Sequence, residues 1–577
     1  MILPVISMAI ANASVALCAA ALQRRVVTGD RAIDTLVFLL IRLLLISAIV
    51  LFFGVLRVLS SGPILSFTLV LLVVLLAKGE HRHLLPFSIS IPRIWMVAFG
   101  TLLLRAFIQS WCFAPYNADC LSYHLPKVAQ WIHGRSIITD LGPDSHSTFP
   151  AGFELLEAWW TVFNHHDVLI EFAGIEWWII GGVAVYGLAQ YAGLSRNSSY
   201  FGAFFYALTP GIAVQSTSCL NDGAVASALL ASLLLACRGE SWALLVMSVG
   251  LGIGIKPVYA FALPPITILY LVVAGLPNRN GKAVGTLSVA LAGSAILVGA
   301  FWYIRNLLWL GNPIYPIASG GLSDAFGNIQ LGFNLSSLRL SFVSLVEDRV
   351  WDRRIPMSPV LPHLAGWGSV NLALGMPGLL TGAQGDVRIR RLAWTAIGSA
   401  ALIFSLVAYD PWNARFVLFL AGLLSVGAAW LVARMPAVGA LAGIGLFINF
   451  ILTMLPAEIP PNDFKILWSR SWTERSTLVT TSEVPRAITR IGCFVDTRKP
   501  VYCLFTPDFS RTVVYLRPSS SQELLEMMKG ESLKYLYAEP ELPAGRSVLL
   551  TCIKRGSLVR RGEGVFELSD EAPLKSP

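Results

Sequence analysis

The chain has 577 residues, 55% of them hydrophobic and only 13% charged, with a mean hydropathy of +0.66. Soluble domains carry about 25% charged residues, so the composition excludes an ordinary soluble protein and indicates a polytopic membrane chain. The formal charge of +9 is explained largely by loop lysines and arginines that set topology, and nucleic acid is not an expected partner.

Residues 2–22 are apolar and end in Ala19-Ala20-Ala21, like a secretory signal. A signal peptide carries its positive charge before the apolar core, whereas Arg24 and Arg25 follow it here. A retained helix is expected. Further apolar runs fall near 35–57, 63–77, 94–112, 168–192, 200–215, 222–237, 241–256, 258–275, 283–304, 364–382, 392–409, 415–433 and 436–455. Only helices satisfy their own backbone across lipid, so these runs predict about 12–14 transmembrane helices, the short ones re-entrant or paired. Arg42 and Arg57 lie in the second run and must snorkel or meet a partner.

Short loops give the orientation. One set carries Arg24, Arg25 and Arg31; Lys78, Arg82 and Arg93; Arg196; Arg238; Arg279 and Lys282; Arg388, Arg390 and Arg391; and Arg434. That set is expected to be cytoplasmic. The loops 113–166 and 305–360, and everything after 456, then face the far side.

Beyond Pro456, Pro460 and Pro461 the charge density rises. β-type runs appear at 500–506, 512–516, 533–538, 547–553 and 564–568. Ser520-x-x-Glu523 is a capping box opening a helix over 521–529. The reading is a small α/β domain, and the expected division is 1–93 (N-terminal helices), 94–455 (catalytic core) and 456–577 (soluble domain). Eight cysteines form no disulfide framework, and no Cys-x-x-Cys metal pair occurs. Cys493 and Cys503 could pair in an oxidising compartment.

Four polar clusters fall on the non-cytoplasmic side. Pro115 to Pro126 carries Asp119, Tyr123 and His124, where Asp119 reads either as a helix cap or as a catalytic carboxylate. Thr148 to Trp160 follows, with Pro150 able to start a helix. Phe153, Leu156, Trp160 and Phe163 share a face, which predicts an interfacial helix lying on the membrane. Its Glu154, with His146, could instead bind substrate. Thr209-Pro210 leads to Asn221-Asp222, where Asp222 is either a cap or an intramembrane functional acid. Finally Arg305-Asn306 precedes Gly311 to Pro316, which includes Tyr315, while Lys256 and Arg415 sit at other outer helix ends. Arginines there can bind lipid headgroups. Three cations against the positive-inside trend fit better with gripping a phosphate.

In order, these motifs resemble the GT-C superfamily of polyprenyl-phosphate-sugar-dependent glycosyltransferases, of the dolichyl-phosphate-mannose/aminoarabinose-transferase type. Asp119 before Ser122-Tyr123-His124-Leu125-Pro126 is similar to the family's acid in the first external loop. Asn221-Asp222, Lys256-Pro257, Arg305-Asn306 with Gly311 to Pro316, and Arg415-Phe416 resemble its later motifs. The chain departs from the family in three preceding spans and in lacking a second acid beside Asp119. That second difference puts any borrowed metal site in doubt.

The resemblance implies an α-helical polytopic membrane protein with a GT-C-like core and inverting transfer from a polyprenyl-phosphate sugar to a lipid, glycan or protein acceptor. Asp119 would be the general base, with His124 and Tyr123 orienting it or binding sugar. Asp222 would bind the acceptor or a divalent cation, Mg or Mn. Arg305, Lys256 and Arg415 would stabilise the departing phosphate, while Glu154, Asn306 and Tyr315 would line the substrate. Membrane lipids are further partners, no cofactor is certain, and the resemblance favours a bacterial inner membrane with a periplasmic site. An oligosaccharide ligase or polymerase, a lipid-linked-sugar transporter, and an inactive assembly subunit are the competing readings.

Overall fold

The computed structural model describes residues 2–26, 28–77, 91–115, 117–139, 142, 145–274, 285–315, 334–346, 367, 369–407, 409, 415–452, 484–495, 500–538, 546–562 and 564–569. Tyr116, Pro316, most of the 305–360 loop and the exit at 456–461 lie outside them.

The first half contains α1 (Ile2–Arg24), α2 (Arg31–Val55), α3 (Ser61–Ala77), α4 (Arg93–Cys112), α5 (Leu125–Gly134), α6 (Gly152–Val162), α7 (Phe172–Tyr191), α8 (Arg196–Ala207), α9 (Pro210–Ser216) and α10 (Asp222–Arg238). There follow α11 (Trp242–Ile255), α12 (Val258–Phe261), α13 (Leu263–Ala274), α14 (Thr286–Leu310), α15 (Leu335–Val346), α16 (Ser369–Gly385), α17 (Val387–Leu406), α18 (Phe419–Arg434) and α19 (Pro436–Leu452). Six helices among the described residues are long and apolar enough to cross a membrane, and five further apolar helices are shorter. The expected run 200–215 divides into α8 and α9 because Pro210, at the start of α9, follows a non-helical Thr209.

Close backbone contact holds the bundle. A Cβ on Gly299 of α14 would collide with the Gly250 carbonyl of α11, and one on Gly378 of α16 with the Gly427 carbonyl of α18. Small residues at such crossings let helices approach where lipid offers no hydrophobic drive. Buried hydroxyls add interhelical bonds: Ser232 Oγ lies 2.8 Å from Ser248 Oγ and 2.6 Å from the Tyr259 hydroxyl. Arg42 finds its partner inside the bundle, pairing with Glu176 of α7 and donating to Asn12 Oδ1 at 2.8 Å.

The C-terminal region folds as a five-stranded mixed sheet of order β2-β1-β3-β5-β4. Its strands are β1 (Arg490–Phe494), β2 (Thr512–Tyr515), β3 (Tyr535–Ala538), β4 (Leu558–Arg560) and β5 (Val565–Leu568), with α20 (Ser521–Gly530) and α21 (Arg546–Lys554). The capping box forms, as the Glu523 amide donates to Ser520 Oγ at 3.1 Å. Two expected strands are corrected. The run 547–553 is α21, which buries Val548, Leu549 and Cys552 on one helical face; the run 500–506 holds a 3-10 turn, Tyr502–Leu504. Nor do Cys493 and Cys503 form a disulfide, and Cys503 Sγ donates to the Pro500 carbonyl at 3.2 Å.

This lobe sits on α5. His133 Nδ1 lies 2.9 Å from the Phe509 carbonyl, and Thr512 Oγ1 lies 2.8 Å from its Nε2. A carbonyl only accepts, so Nδ1 carries the proton and Nε2 accepts from Thr512. The Tyr502 hydroxyl donates to the buried Asp167 Oδ2 at 2.8 Å.

Candidate active site

Asp119 opens a short π-helical stretch, Cys120–His124, and its side chain makes no cap hydrogen bond. That removes the capping explanation. The carboxylate instead meets Arg415, with Oδ2 2.7 Å from Nη1. The Arg415 Nε lies 3.5 Å from Asp222 Oδ2, and Lys256 Nζ lies 2.6 Å from Asp222 Oδ1. Lys256 also donates to Asn221 Oδ1 at 3.3 Å. Four residues from four separate segments therefore form one alternating chain of charge. Asp222 is only 2% exposed, whereas the Asp119 side chain is 35% exposed, so Asp119 is the carboxylate a substrate can reach.

Asn221, not Asp222, is the N-cap of α10. Asp222 lies in the first turn, where the helix dipole favours an anion, and the two cations complete its neutralisation. Lys256 follows α11 in extended conformation, with Pro257 next in the chain to prevent that helix from continuing. Phe416 packs below both cations, its ring 5.0 Å from Lys256 Nζ and 5.5 Å from Arg415 Cζ.

A second group stands beside this one. Glu154 Oε1 meets His124 Nδ1 at 2.9 Å and Lys127 Nζ at 2.6 Å. A carboxylate only accepts, so Nδ1–H donates and Nε2 keeps its lone pair. That Nε2 is buried with no hydrogen-bond partner among the described residues. The Tyr123 ring lies 4.3 Å from His124 and stacks on His146 at 5.0 Å.

The expected interfacial helix is corrected. In α6 both Glu154 and Glu157 are fully buried, inside the bundle and not against a membrane surface. The period-3.6 pattern locates an apolar face but carries no sign of Lys127, whose charge lets Glu154 enter the interior.

Electrostatics separate these acids. Burial alone raises the Asp119 carboxyl, but the Arg415 guanidinium overrides it, with smaller pulls from His124 and Lys256, and holds it well below the usual carboxylate range. Glu154 is likewise held low, since Lys127 and His124 outweigh the raising effect of burial. Burial keeps His124 below its ordinary value against the opposing charge of Glu154. Glu157 goes the other way: burial first, then the Glu154 charge, push it well above the ordinary range. These surroundings bias Asp119 and Glu154 toward the ionised form, and His124 and Glu157 toward the neutral one.

Arg305, Asn306 and Tyr315 form a third layer. Arg305 Nη2 donates to the Thr148 carbonyl at 2.6 Å and to Asn306 Oδ1 at 2.8 Å. Asn306 Nδ2 donates to the same carbonyl at 2.9 Å, and Thr148 Oγ1 donates to the Tyr315 carbonyl at 3.2 Å. These residues tie the end of α14 to the turn carrying His146. Arg305 is 5% exposed, and the carboxylate whose charge reaches it is Glu154, not Asp119 or Asp222.

The structure thus joins Asp119, Asp222, Lys256 and Arg415 directly and sets Tyr123, His124 and Glu154 alongside. Lys127 and Glu157 are participants that the motifs did not flag. Lys127 was findable, three residues after His124, which stands at the N-cap of α5, and so on the side of the helix that His124 faces. Among the described residues no group of three or more His, Cys, Asp and Glu side chains is arranged for a metal.

No protein-family model matches the sequence, and no curated protein matches it. Among solved structures the chain is similar to ArnT from Cupriavidus metallidurans bound to undecaprenyl phosphate, at 11% identity and a TM-score of 0.51, over 84% of this chain and 99% of that one. For ArnT in the apo state the values are 12% and 0.48, over 84% and 98%. For the Archaeoglobus fulgidus oligosaccharyltransferase they are 11% and 0.34, over 76% and 69%. The first of these likenesses shows that the chain shares the overall fold of ArnT, and the long apolar helices and small C-terminal sheet fit a polytopic α-helical membrane architecture.

Proposed function

We propose that the chain is a GT-C membrane glycosyltransferase that moves a sugar from a polyprenyl-phosphate carrier to a lipid, glycan or protein acceptor, with inversion. One observation carries this reading: Arg415 bridges Asp119 and Asp222 while Lys256 holds the far oxygen of Asp222. A site that poses a reachable carboxylate beside two anchored cations suits separation of a proton from a phosphate. The fold shared with ArnT, whose structure holds undecaprenyl phosphate, supports the same carrier here.

The acceptor hydroxyl attacks C1 as the C1–O bond to phosphate breaks with its electron pair on oxygen. Asp119 takes the hydroxyl proton. Arg415 and Lys256 receive the charge on the departing phosphate. The donor phosphate competes with Asp119 for Arg415, so binding the donor releases the base from the cation that suppresses its basicity. Asp222 anchors both cations, and Arg305, Asn306 and Tyr315 hold the wall bearing His146. Tyr123, His124 and Glu154 flank the sugar. In this reading 94–455 is the catalytic core, 1–93 an added helical layer and 456–577 a soluble domain, the site facing the periplasm of a bacterial inner membrane.

A second base is favoured by one observation: among the described residues the His124 Nε2 has no partner, and its Nδ1–H is fixed by Glu154. The experiment is transfer from a radiolabelled polyprenyl-phosphate monosaccharide by the reconstituted full chain, comparing Asp119→Asn with His124→Gln. Mass spectrometry of glycolipids and glycoproteins from cells with and without the chain names the acceptor. Loss in Asp119→Asn with activity in His124→Gln supports Asp119; the opposite result moves the base to His124. No transfer from any such donor, with the protein folded, rejects the glycosyltransferase reading.

A further inference from the structure

Two apolar clefts, of about 670 and 600 Å³, meet between α2, α4 and α7, sharing Phe38, Leu39, Leu103 and Ile179. None of the charged residues of the polar centre lines either cleft. The wider one opens at the far end of the bundle from that centre. α7 begins beside Asp167, on the polar side, and ends at Tyr191, close in sequence to Arg196 at the start of α8. At that mouth stand Arg31 and Arg196, both exposed. Asp30, also at the mouth, is committed: it caps α2 through the Ala32 amide at 2.8 Å and pairs with Arg238 at 3.2 Å. The mouth is therefore cationic.

Its depth identifies what fits. From Arg31 to Leu43 the cleft follows α2 for about 18 Å at the helical rise, close to the ~15 Å of one leaflet's hydrocarbon. It is closed beyond by the Arg42–Glu176 pair and by Trp160, whose Nε1 donates to Glu176 Oε1 at 3.0 Å. Leu103 and Ile179 on its wall remain 40% and 37% exposed, so it opens sideways to lipid. Gly182 of α7 lines the floor, and a Cβ there would meet nothing within 4 Å. The space is real, apolar and of a volume usual for ligand sites, which run about 300–1,000 Å³.

We propose that this cleft is a binding site for an anionic glycerophospholipid of the leaflet opposite the polar centre. One acyl chain lies along α2 and α7 past Gly182, and its phosphate rests between Arg31 and Arg196. The lipid fills the seam between the N-terminal helices and the core. The site is separate from any carrier at the polar centre and stands whether or not the transferase reading holds.

The test uses the full chain in phosphatidylcholine vesicles containing phosphatidylglycerol with a photoactivatable diazirine on its acyl chain. Cross-linked peptides are mapped, with unlabelled phosphatidylglycerol, phosphatidylcholine or undecaprenyl phosphate as competitors. Labelling is expected on α2, α4 and α7, displaced by phosphatidylglycerol at about tenfold lower concentration than by phosphatidylcholine, whose choline cation offsets the phosphate charge and opposes the two arginines. Gly182→Leu, which adds a side chain at a position where a Cβ meets nothing within 4 Å, should cut labelling about tenfold with the melting temperature retained. Arg31→Gln with Arg196→Gln should abolish the headgroup preference alone. Equal labelling in Gly182→Leu, or equal competition by phosphatidylcholine, overturns the proposal. Displacement by undecaprenyl phosphate well below the phosphatidylglycerol concentration also overturns it, and makes the cleft a carrier site.

Discussion

Arg415 lies between two acids, 2.7 Å from Asp119 and 3.5 Å from Asp222, and only the first of them is open to a substrate. The unequal exposure assigns unequal roles. Asp119→Asn keeps the shape and a hydrogen bond to Arg415 but cannot accept the proton. Transfer should fall by at least about a hundredfold, the usual worth of a positioned general base, while membrane insertion and melting temperature stay close to wild type. Activity within a few-fold of wild type would make Asp119 structural.

Arg415 itself predicts a difference between two pH profiles. In the free protein its guanidinium keeps the Asp119 carboxyl well below the ordinary carboxylate range. If the donor phosphate draws Arg415 away, that restraint weakens and burial lifts the carboxyl. The active form is the ionised one, so activity is lost as pH falls through the carboxyl's pKa. The acid limb of kcat, which reports the complex, should thus lie at higher pH than that of kcat/KM, which reports the free enzyme. Coincident limbs would mean that donor and Asp119 do not compete for Arg415. Arg415→Lys, which cannot bridge two groups in a fork, should narrow the gap.

Much of this site was legible because its residues break the local rule of their surroundings. Asp119, Asp222, Lys256 and Arg415 are charges at the ends of apolar runs, and the expense of placing them there marks them in a bare sequence. Their pairing was not legible, since nothing local links residue 119 to residue 415. Arg305 shows the converse. Its position at the end of α14 looked like that of Lys256, yet its guanidinium is occupied by the Thr148 carbonyl and Asn306. Helix ends report which charges leave the bilayer, but loop geometry decides whether they meet substrate or backbone. In the C-terminal lobe, Val548 to Cys552 reads equally as strand or helix, because a short apolar run has too few periods to separate 2 from 3.6.

Glu157 offers a stability test independent of catalysis. Its folded-state pKa is raised well above the ordinary value by burial and by the Glu154 charge, so folding favours its protonated form. The stability it contributes is complete below the unfolded carboxylate pKa and is lost as pH rises from there toward the raised value. Over that window the loss approaches about 1.4 kcal/mol per pH unit. Glu157→Gln keeps the neutral amide shape and removes the titration. Melting temperatures of variant and wild type should converge near pH 4 and separate in favour of the variant as pH rises. A constant difference across pH would show that Glu157 is ionised in the folded chain.

The C-terminal lobe should control the helix that carries the His124–Lys127 group. Tyr502 donates to Asp167 at 2.8 Å, and His133 joins the Phe509 carbonyl and the Thr512 hydroxyl across α5. The Tyr502–Asp167 contact is buried, where a lost hydrogen bond to a charged partner costs about 1–3 kcal/mol, whereas the His133 contacts lie at the exposed face of α5 and hold it less strongly. Tyr502→Phe and His133→Ala should each raise amide hydrogen exchange along α5 while leaving α18 as protected as in wild type. With Lys127 on that helix and His124 at its N-terminal cap, kcat should fall severalfold with the donor KM little changed, since Arg415 and Lys256 belong to other segments. If exchange along α5 rises and kcat does not move, the lobe merely packs there; if exchange itself is unchanged, the lobe does not hold α5 at all.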